Sequence, residues 1–390
     1  TGRMMRISPC ACAAGRRPSK PARLSGEFVA GSGCSSRGGA SGSADGAVII
    51  RNDALDTAKG PAKNGLMERI ALQPVDSITV TTIVDNRVDL LGAAGGKAFK
   101  AAARGPRIVS PVMEEGQAIE GLVGEHGYSA LLEIRRGERT SSVLYDAGLS
   151  PFGVRDNMRR LQIDPKVIEA AVMSHGHFDH TTGLEGVISD LGRSGVPMVL
   201  HPDFWNRRRL RLKGTEYLEI PTPSRGYIEG MGVQIIEERA PSFLFDSGLL
   251  VTGEVERTSG FERGMDNQEA YRDGAWVDDG AVLDDQAAVV NVAGKGLVVL
   301  TGCGHAGVVN ILRHARKLTG VERIHAVIGG FHLTGKSFEP IIERTVEAVA
   351  ALEPELVVPA HCTGWKASLA LARRLPEAVV PNAVGATFEI

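Results

Sequence analysis

Residues 173–183 read MSHGHFDHTTG, with three histidines and an aspartate inside six positions of a chain that holds ten histidines in all. The apolar run VIEAAVM (167–173) leads into it, so the cluster sits where a buried strand ends. In extended chain, residues two apart point to the same side, which lets His175 and His177 face one metal ion together. Asp179 and His180 follow as the chain turns into a helix expected from Thr182 onward, and their side chains point to a second position close by. Imidazole nitrogen and carboxylate oxygen are a donor set for zinc, or for iron or manganese. The competing reading is a histidine-rich polar loop.

Four donors on one loop do not complete two metal sites. Three later stretches offer the remainder: LVVLTGCGHAG (297–307) carries His305, AVIGGFHL (326–333) carries His332, and LVVPAHCTG (356–364) carries His361. Each has one form, an apolar run followed by small residues and then a histidine. Three unrelated loops rarely repeat that form by chance, which argues against the polar-loop reading.

The composition is that of an ordinary globular chain. The 390 residues are 43% hydrophobic and 23% charged, with a mean hydropathy of −0.03. A formal net charge of −2 offers no basic field for a nucleic-acid backbone, so nucleic acid is not an expected partner. No apolar run approaches the roughly 18 residues needed to cross a bilayer. Of five cysteines, only Cys303 and Cys362 lie in what reads as folded chain, which suggests a reducing, cytoplasmic setting and no disulfide framework. Residues 1–66 are rich in Gly, Ser, Arg and Ala, with Glu27 the only acid before Asp45. They read as a disordered or mis-called extension with a natural start near Met67; organelle targeting is the other reading.

From about residue 77 the pattern becomes regular. SITVTTIVD (77–85) is strand-like, residues 129–148 read as a hairpin turning at Arg-Gly-Glu, and residues 155–163 as a short helix. Strands are expected at 197–202, 232–238, 286–302, 323–330 and 355–360. Between the later ones, Val308, Ile311, Leu312, Ala315 and Leu318 share one helical face, as do Ile342, Val346 and Val349, with a last helix at 364–374. Residues 203–285 read as loops, an insertion walling a substrate site. Hairpins followed by alternating strands and helices indicate a layered α/β domain over 67–390.

SHGHFDH followed by three strand-end histidines resembles the metallo-β-lactamase superfamily, whose motif is H-x-H-x-D-H. More narrowly, TIVDN (82–86), GEHGYSALLE (124–133), LYDAG (144–148), GEVERTSGFE (253–262), DDQ (284–286), LTGCGHAGVVN (300–310), IGGFHL (328–333) and PAHCTG (359–364) resemble one branch. That branch includes the dihydropterin ribofuranosylaminobenzene 5′-phosphate synthases. The resemblance spans residues 77–390 and implies a four-layer αββα sandwich holding two divalent metal ions, zinc foremost.

Position by position, it implies that one ion takes His175, His177 and His305, and the other Asp179, His180 and His361. Asp146 falls where the family keeps a carboxylate that orients a ligand loop. Hydrolases of this superfamily carry a bridging aspartate on the loop that here reads IGGFHL. No acid stands there, which leaves His332 as ligand, substrate contact or general acid/base beside Asp179. Arg257 and Arg263 are candidates for an anionic substrate group, with solubilising charge as the alternative; Asp284, Asp285 and Gln286 carry the same ambiguity. His126, His201, His314 and His325 read as structural, and Cys303 and Cys362 as buried inert thiols.

The expected activity is metal-assisted hydrolysis of an ester, phosphoester or lactone-type small molecule. The runner-up is a pterin-synthase-like transferase, and a non-catalytic metal-binding module is the alternative outside enzymes. The expected partner is a small molecule, phosphorylated or pterin-like, with homo-oligomer formation left open.

Overall fold

Leu297, Val298, Val299 and Leu300 are consecutive and all buried, yet they serve two different cores. Val298 and Leu300 face a second sheet, whereas Leu297 and Val299 face a layer of helices. A strand buried on both faces is apolar throughout rather than alternating. This is why the apolar runs of the sequence reach strand length and stop.

The computed structural model describes residues 71–92, 99–100 and 105–390, so the expectations for residues 1–66 and for Met67 lie outside the described residues. One sheet has eight strands, ordered Gln234–Glu237, Pro197–Leu200, Ala170–Val172, Arg139–Tyr145, Ser129–Arg136, Ser77–Val84, Thr387–Glu389 and Phe99–Lys100. The other has six, ordered Ser242–Leu244, Leu249–Val251, Ala288–Val292, Gly296–Thr301, Ile324–Gly330 and Leu356–Ala360.

Val80, Leu132, Val143, Tyr145 and Val172 of the first sheet pack against Val251, Val290, Val298, Leu300 and Val358 of the second. Beyond the first sheet lie helices Gly153–Arg160 and Leu184–Asp190, bringing Val154, Met158, Leu184 and Val187. Beyond the second lie Val308–Thr319, Ile342–Ala350 and Trp365–Arg374, with Ile311, Leu312, Val346, Val349 and Leu371 turned inward. The result is the αββα sandwich. Burying each such Leu or Val contributes about 1.5–3 kcal/mol.

Topology then gathers the site. Gly296–Thr301, Ile324–Gly330 and Leu356–Ala360 run parallel, joined by helical crossovers, so their C-terminal ends share one edge. Arg139–Tyr145, Ala170–Val172 and Pro197–Leu200 are likewise parallel. Ligand sites form outside such carboxyl ends. Asp146, the 175–180 cluster, Cys303, His305, His332 and His361 all stand just past one of these strand ends.

Two expectations need correction. Residues 203–285 are not simply loops: Ser242–Leu244 and Leu249–Val251 belong to the second sheet. Tyr217–Ile220, Arg208–Arg211, Gln268–Arg272 and Ala275–Asp278 form a separate four-stranded antiparallel sheet. Its strands are charged rather than apolar, joined by Arg209–Glu269 pairing and by Arg209 stacked on Tyr217 and Trp276, so hydrophobic patterning gave no signal. The second correction concerns the motif. A one-turn helix, Phe178–Thr181, begins directly after His177, so Asp179 and His180 lie within it rather than before a helix at Thr182.

Candidate metal centre

The eight donor residues fall into overlapping groups with mutual donor-atom distances within 4.8 Å: His175, His177 and His305; Asp179, His180, Cys303 and His361; and Cys303, His305 and His332. His175 Nε2 is 3.0 Å from His177 Nδ1, and His305 Nε2 is 3.2 Å from that same Nδ1. His361 Nε2 is 3.3 Å from Asp179 Oδ2. The two principal groups adjoin, with the rings of His175 and His180 4.3 Å apart.

Outward hydrogen bonds fix which nitrogen is turned inward in four of the rings. Asp146 Oδ1 accepts from the Ser174 amide (2.7 Å), and Oδ2 accepts from Ser174 Oγ (2.6 Å) and His180 Nδ1 (2.7 Å). His180 therefore carries its proton on Nδ1 and turns the Nε2 lone pair inward. Ser174 Oγ, its hydrogen given to Asp146, accepts from His175 Nδ1 at 2.9 Å and leaves His175 Nε2 free. Gln268 donates through Nε2 to Asp279, so its Oε1 accepts from His177 Nε2 at 2.8 Å and frees His177 Nδ1. Asn86 donates through Nδ2 to the His361 carbonyl, so its Oδ1 accepts from His361 Nδ1 at 3.3 Å. Four imidazole lone pairs thus converge with a carboxylate and a thiol. Lone pairs pressed together repel unless a cation sits among them, so this donor set fits divalent metal.

The electrostatics agree. Burial and the neighbouring cations hold His175 and His305 well below the ordinary histidine value, and burial with Arg208 brings His177 down to about 4. These rings are neutral, as metal ligands must be. Burial opposes charge on His180, but Asp146 and Asp179 outweigh it and push this ring up to about 9 in the metal-free protein, so its Nε2 lone pair becomes available when a bound ion displaces the proton there. Burial likewise opposes charge on Asp179, yet His180 and His361 hold its carboxyl well below the usual range.

The loops are held by buried polar residues. Asp284 accepts from the Gly176 amide and from Arg208, whose guanidinium is 1% exposed and also bonded to Asp279. Asp285 accepts from the Ala306 amide, and Gln286 Nε2 donates to the Met173 carbonyl. DDQ is therefore neither a surface charge nor a substrate clamp. Asp85 of TIVDN accepts from the His361 amide and Asn382. Glu262 accepts from the amides of Val309 and Asn310, satisfying the N-terminus of the helix after His305.

Close approach of backbone explains two of the small residues. A Cβ on Gly302 would stand 2.0 Å from Ser174 Oγ, and one on Gly330 would stand 2.3 Å from the Gly302 carbonyl and 2.8 Å from Cys362 Sγ. Asp146, His332 and His361 all have positive φ, at 59°, 41° and 45°. Strained residues of this kind persist where the surroundings dictate the side-chain direction.

A cavity of about 400 Å³ opens beside the centre, lined by the donors His305 and His332 and by Phe338, Arg263 and Arg344 among others. Arg263 stands on its wall. Arg257 is not part of that wall: its guanidinium donates to the carbonyls of His305 and Ala281 and braces a ligand loop. His126, read as structural, has Nε2 3.5 Å from Asp179 Oδ2 and its ring 4.9 Å from His361, at the edge of the centre. Cys303, read as inert, has Sγ 3.2 Å from the free Nε2 of His180. His201 and His325 pair with Glu254 and Glu355 away from the centre. Among the described residues, no helix is long and apolar enough to cross a membrane.

A family model described as the metallo-β-lactamase superfamily matches residues 123–361. The chain is 30% identical over 253 residues to the 7,8-dihydropterin-6-methyl-4-(β-D-ribofuranosyl)-aminobenzene-5′-phosphate synthase of Methanocaldococcus jannaschii, covering 62% of this chain and 82% of that protein. It is 31% identical over 264 residues to an uncharacterized protein of the same organism, covering 67% of this chain and 93% of the relative. Among solved structures, a metal-dependent hydrolase of the β-lactamase superfamily superposes with a TM-score of 0.60 at 25% identity, over 80% of this chain and 99% of the other. With the αββα layers and the divalent-metal donor groups described above, these matches establish that the chain belongs to the metallo-β-lactamase superfamily.

Proposed function

We propose that the chain is a metal-dependent hydrolase that holds two divalent ions and acts on an ester, phosphoester or lactone-type small molecule. One observation carries this reading: two adjoining buried donor groups lie beside an open cavity whose wall includes the ligand His305. Zinc suits these donors, with iron or manganese as alternatives. Such ions would polarise the scissile carbonyl or phosphoryl oxygen and make the attacking water more acidic.

The chain's residues supply the rest. His175, His177 and His305 hold one ion, and Asp179, His180 and His361 the other. Asp146 keeps the protons of His180 and Ser174 turned away from the ions. His332 lines the cavity, its Nδ1 without a protein partner, placed to pass a proton to the leaving group. Arg263 and Arg344 on the same wall suit an anionic group, such as the phosphate of a phosphorylated or pterin-like substrate.

A second reading, transfer rather than hydrolysis, is favoured by the synthase relative. The test is metal analysis of the purified chain followed by turnover in ¹⁸O-labelled water with phosphodiester, lactone and pterin substrates. Hydrolysis puts the label into product, while transfer leaves product unlabelled. His332→Ala is expected to retain the metals and lose at least tenfold in kcat. A chain without stoichiometric metal, unchanged by His175→Ala, ends both readings.

A further inference from the structure

We propose that Cys303, as a thiolate, is a ligand shared between the two ions and takes the bridging place of a carboxylate. The inference rests on the paired-ion reading above. Its basis is that Cys303 belongs to the group formed with Asp179, His180 and His361, and also to a group with His332 and His305, through which it reaches the ion assigned to His175, His177 and His305. Of the two cysteines in the described residues, Cys303 alone occurs in these donor groups.

The thiol is aimed, not incidental. Its Sγ stands 3.2 Å from His180 Nε2, the nitrogen that Asp146 leaves with a free lone pair. A neutral thiol there has one weak hydrogen to offer, while His361 Nε2, in the same donor group, is buried and without a hydrogen-bond partner. A cation satisfies all three atoms at once.

Local backbone delivers the sulfur. Cys303 follows Thr301-Gly302 at the end of a central strand, where the absence of a Cβ on Gly302 lets that turn press against Ser174 and Asp146. Gly330 makes the corresponding allowance on the neighbouring strand: any side chain there would strike the Gly302 carbonyl and crowd the Cα of Cys303. No carboxylate from the described residues joins both groups; Asp179 belongs to only one. Sulfur is also the softer donor, which favours zinc, cobalt or iron over magnesium or calcium. On binding, the S–H bond breaks heterolytically, the sulfur keeps the electron pair, and the proton passes to solvent.

The experiment uses the full-length chain, stripped by chelator and reloaded with Co²⁺, and reads near-ultraviolet absorption and metal content. The wild type is expected to bind two Co²⁺ and to show an intense thiolate-to-cobalt band. Cys303→Ser should lose that band, and Cys362→Ser should retain it. Cys303→Asp should bind two ions without the band, which separates loss of the ligand from loss of the fold. Two bound ions with no band in wild type, or a band that survives Cys303→Ser, overturns the shared thiolate and leaves the paired site standing. Failure of the wild type to bind Co²⁺ or Zn²⁺ overturns the paired site itself, and the inference with it.

Discussion

Asp146→Asn tests the orientation of the centre with almost no change in volume. Asp146 is fully buried and accepts three hydrogen bonds, two from Ser174 and one from His180 Nδ1. Asparagine has one acceptor oxygen and one NH₂. If its oxygen keeps the Ser174 amide, the NH₂ faces His180 Nδ1, which must then accept. The ring changes tautomer, and its proton moves to Nε2, where the metal should be. Restoring the productive tautomer forfeits one charge-assisted hydrogen bond, worth about 1.5–3 kcal/mol. At 1.4 kcal/mol per tenfold, the ion held by Asp179, His180 and His361 should weaken roughly 10- to 150-fold. The ion on His175, His177 and His305 should weaken less, because Asp146 reaches that group only through Ser174. Competition against a calibrated chelator, with metal content measured at each step, resolves the two affinities. If the second ion of Asp146→Asn binds within threefold of wild type, the tautomer argument is wrong.

Two further outcomes follow from the same geometry. Arg208→Ala leaves Asp284 buried without its cation, while Asp279 keeps Arg272, and breaking such a buried pair costs about 3–5 kcal/mol. An unchanged urea midpoint would show that Arg208 is not bracing the histidine loop. The metal-free protein should also lose stability as pH falls. His177 is held at about 4 against an ordinary 6.5, so the unfolded chain binds the extra proton and stability drops between those values. The loss from this one ring is roughly 3 kcal/mol, with His175 and His305 adding in the same direction. His180 works in the opposite sense: its contribution is complete below 6.5 and is lost only as pH rises toward 9. Urea melts of the chelated protein at pH 7 and pH 4.5 check this, and equal stabilities would contradict it.

Much of the site is legible in the sequence because its donors follow buried strands. An apolar run followed by small residues and then histidine is a local pattern, and it points to His305, His332 and His361 as well as the 175–180 cluster. Arg208, His126 and the charged four-stranded sheet left no such trace. Arg208 lies in RRLR, which reads as exposed charge until Asp279 and Asp284 close around it from about 70 residues away. Arg257 shows the converse: the sequence leaves it open between an anionic-group contact and solubilising charge, and the fold sets its guanidinium on two backbone carbonyls.

The sequence by itself determined which histidines and which aspartate could bind metal and that each would stand at a strand end, since both follow from residue type and local periodicity. Tertiary structure decided what those side chains do there. The proton of His180 is placed by Asp146, 34 positions earlier, and the sulfur facing its free nitrogen comes from Cys303, 123 positions later. Parallel strands and their helical crossovers bring these residues to one edge. Hydrogen bonding and lone-pair direction depend on that through-space arrangement, which spacing along the chain does not encode.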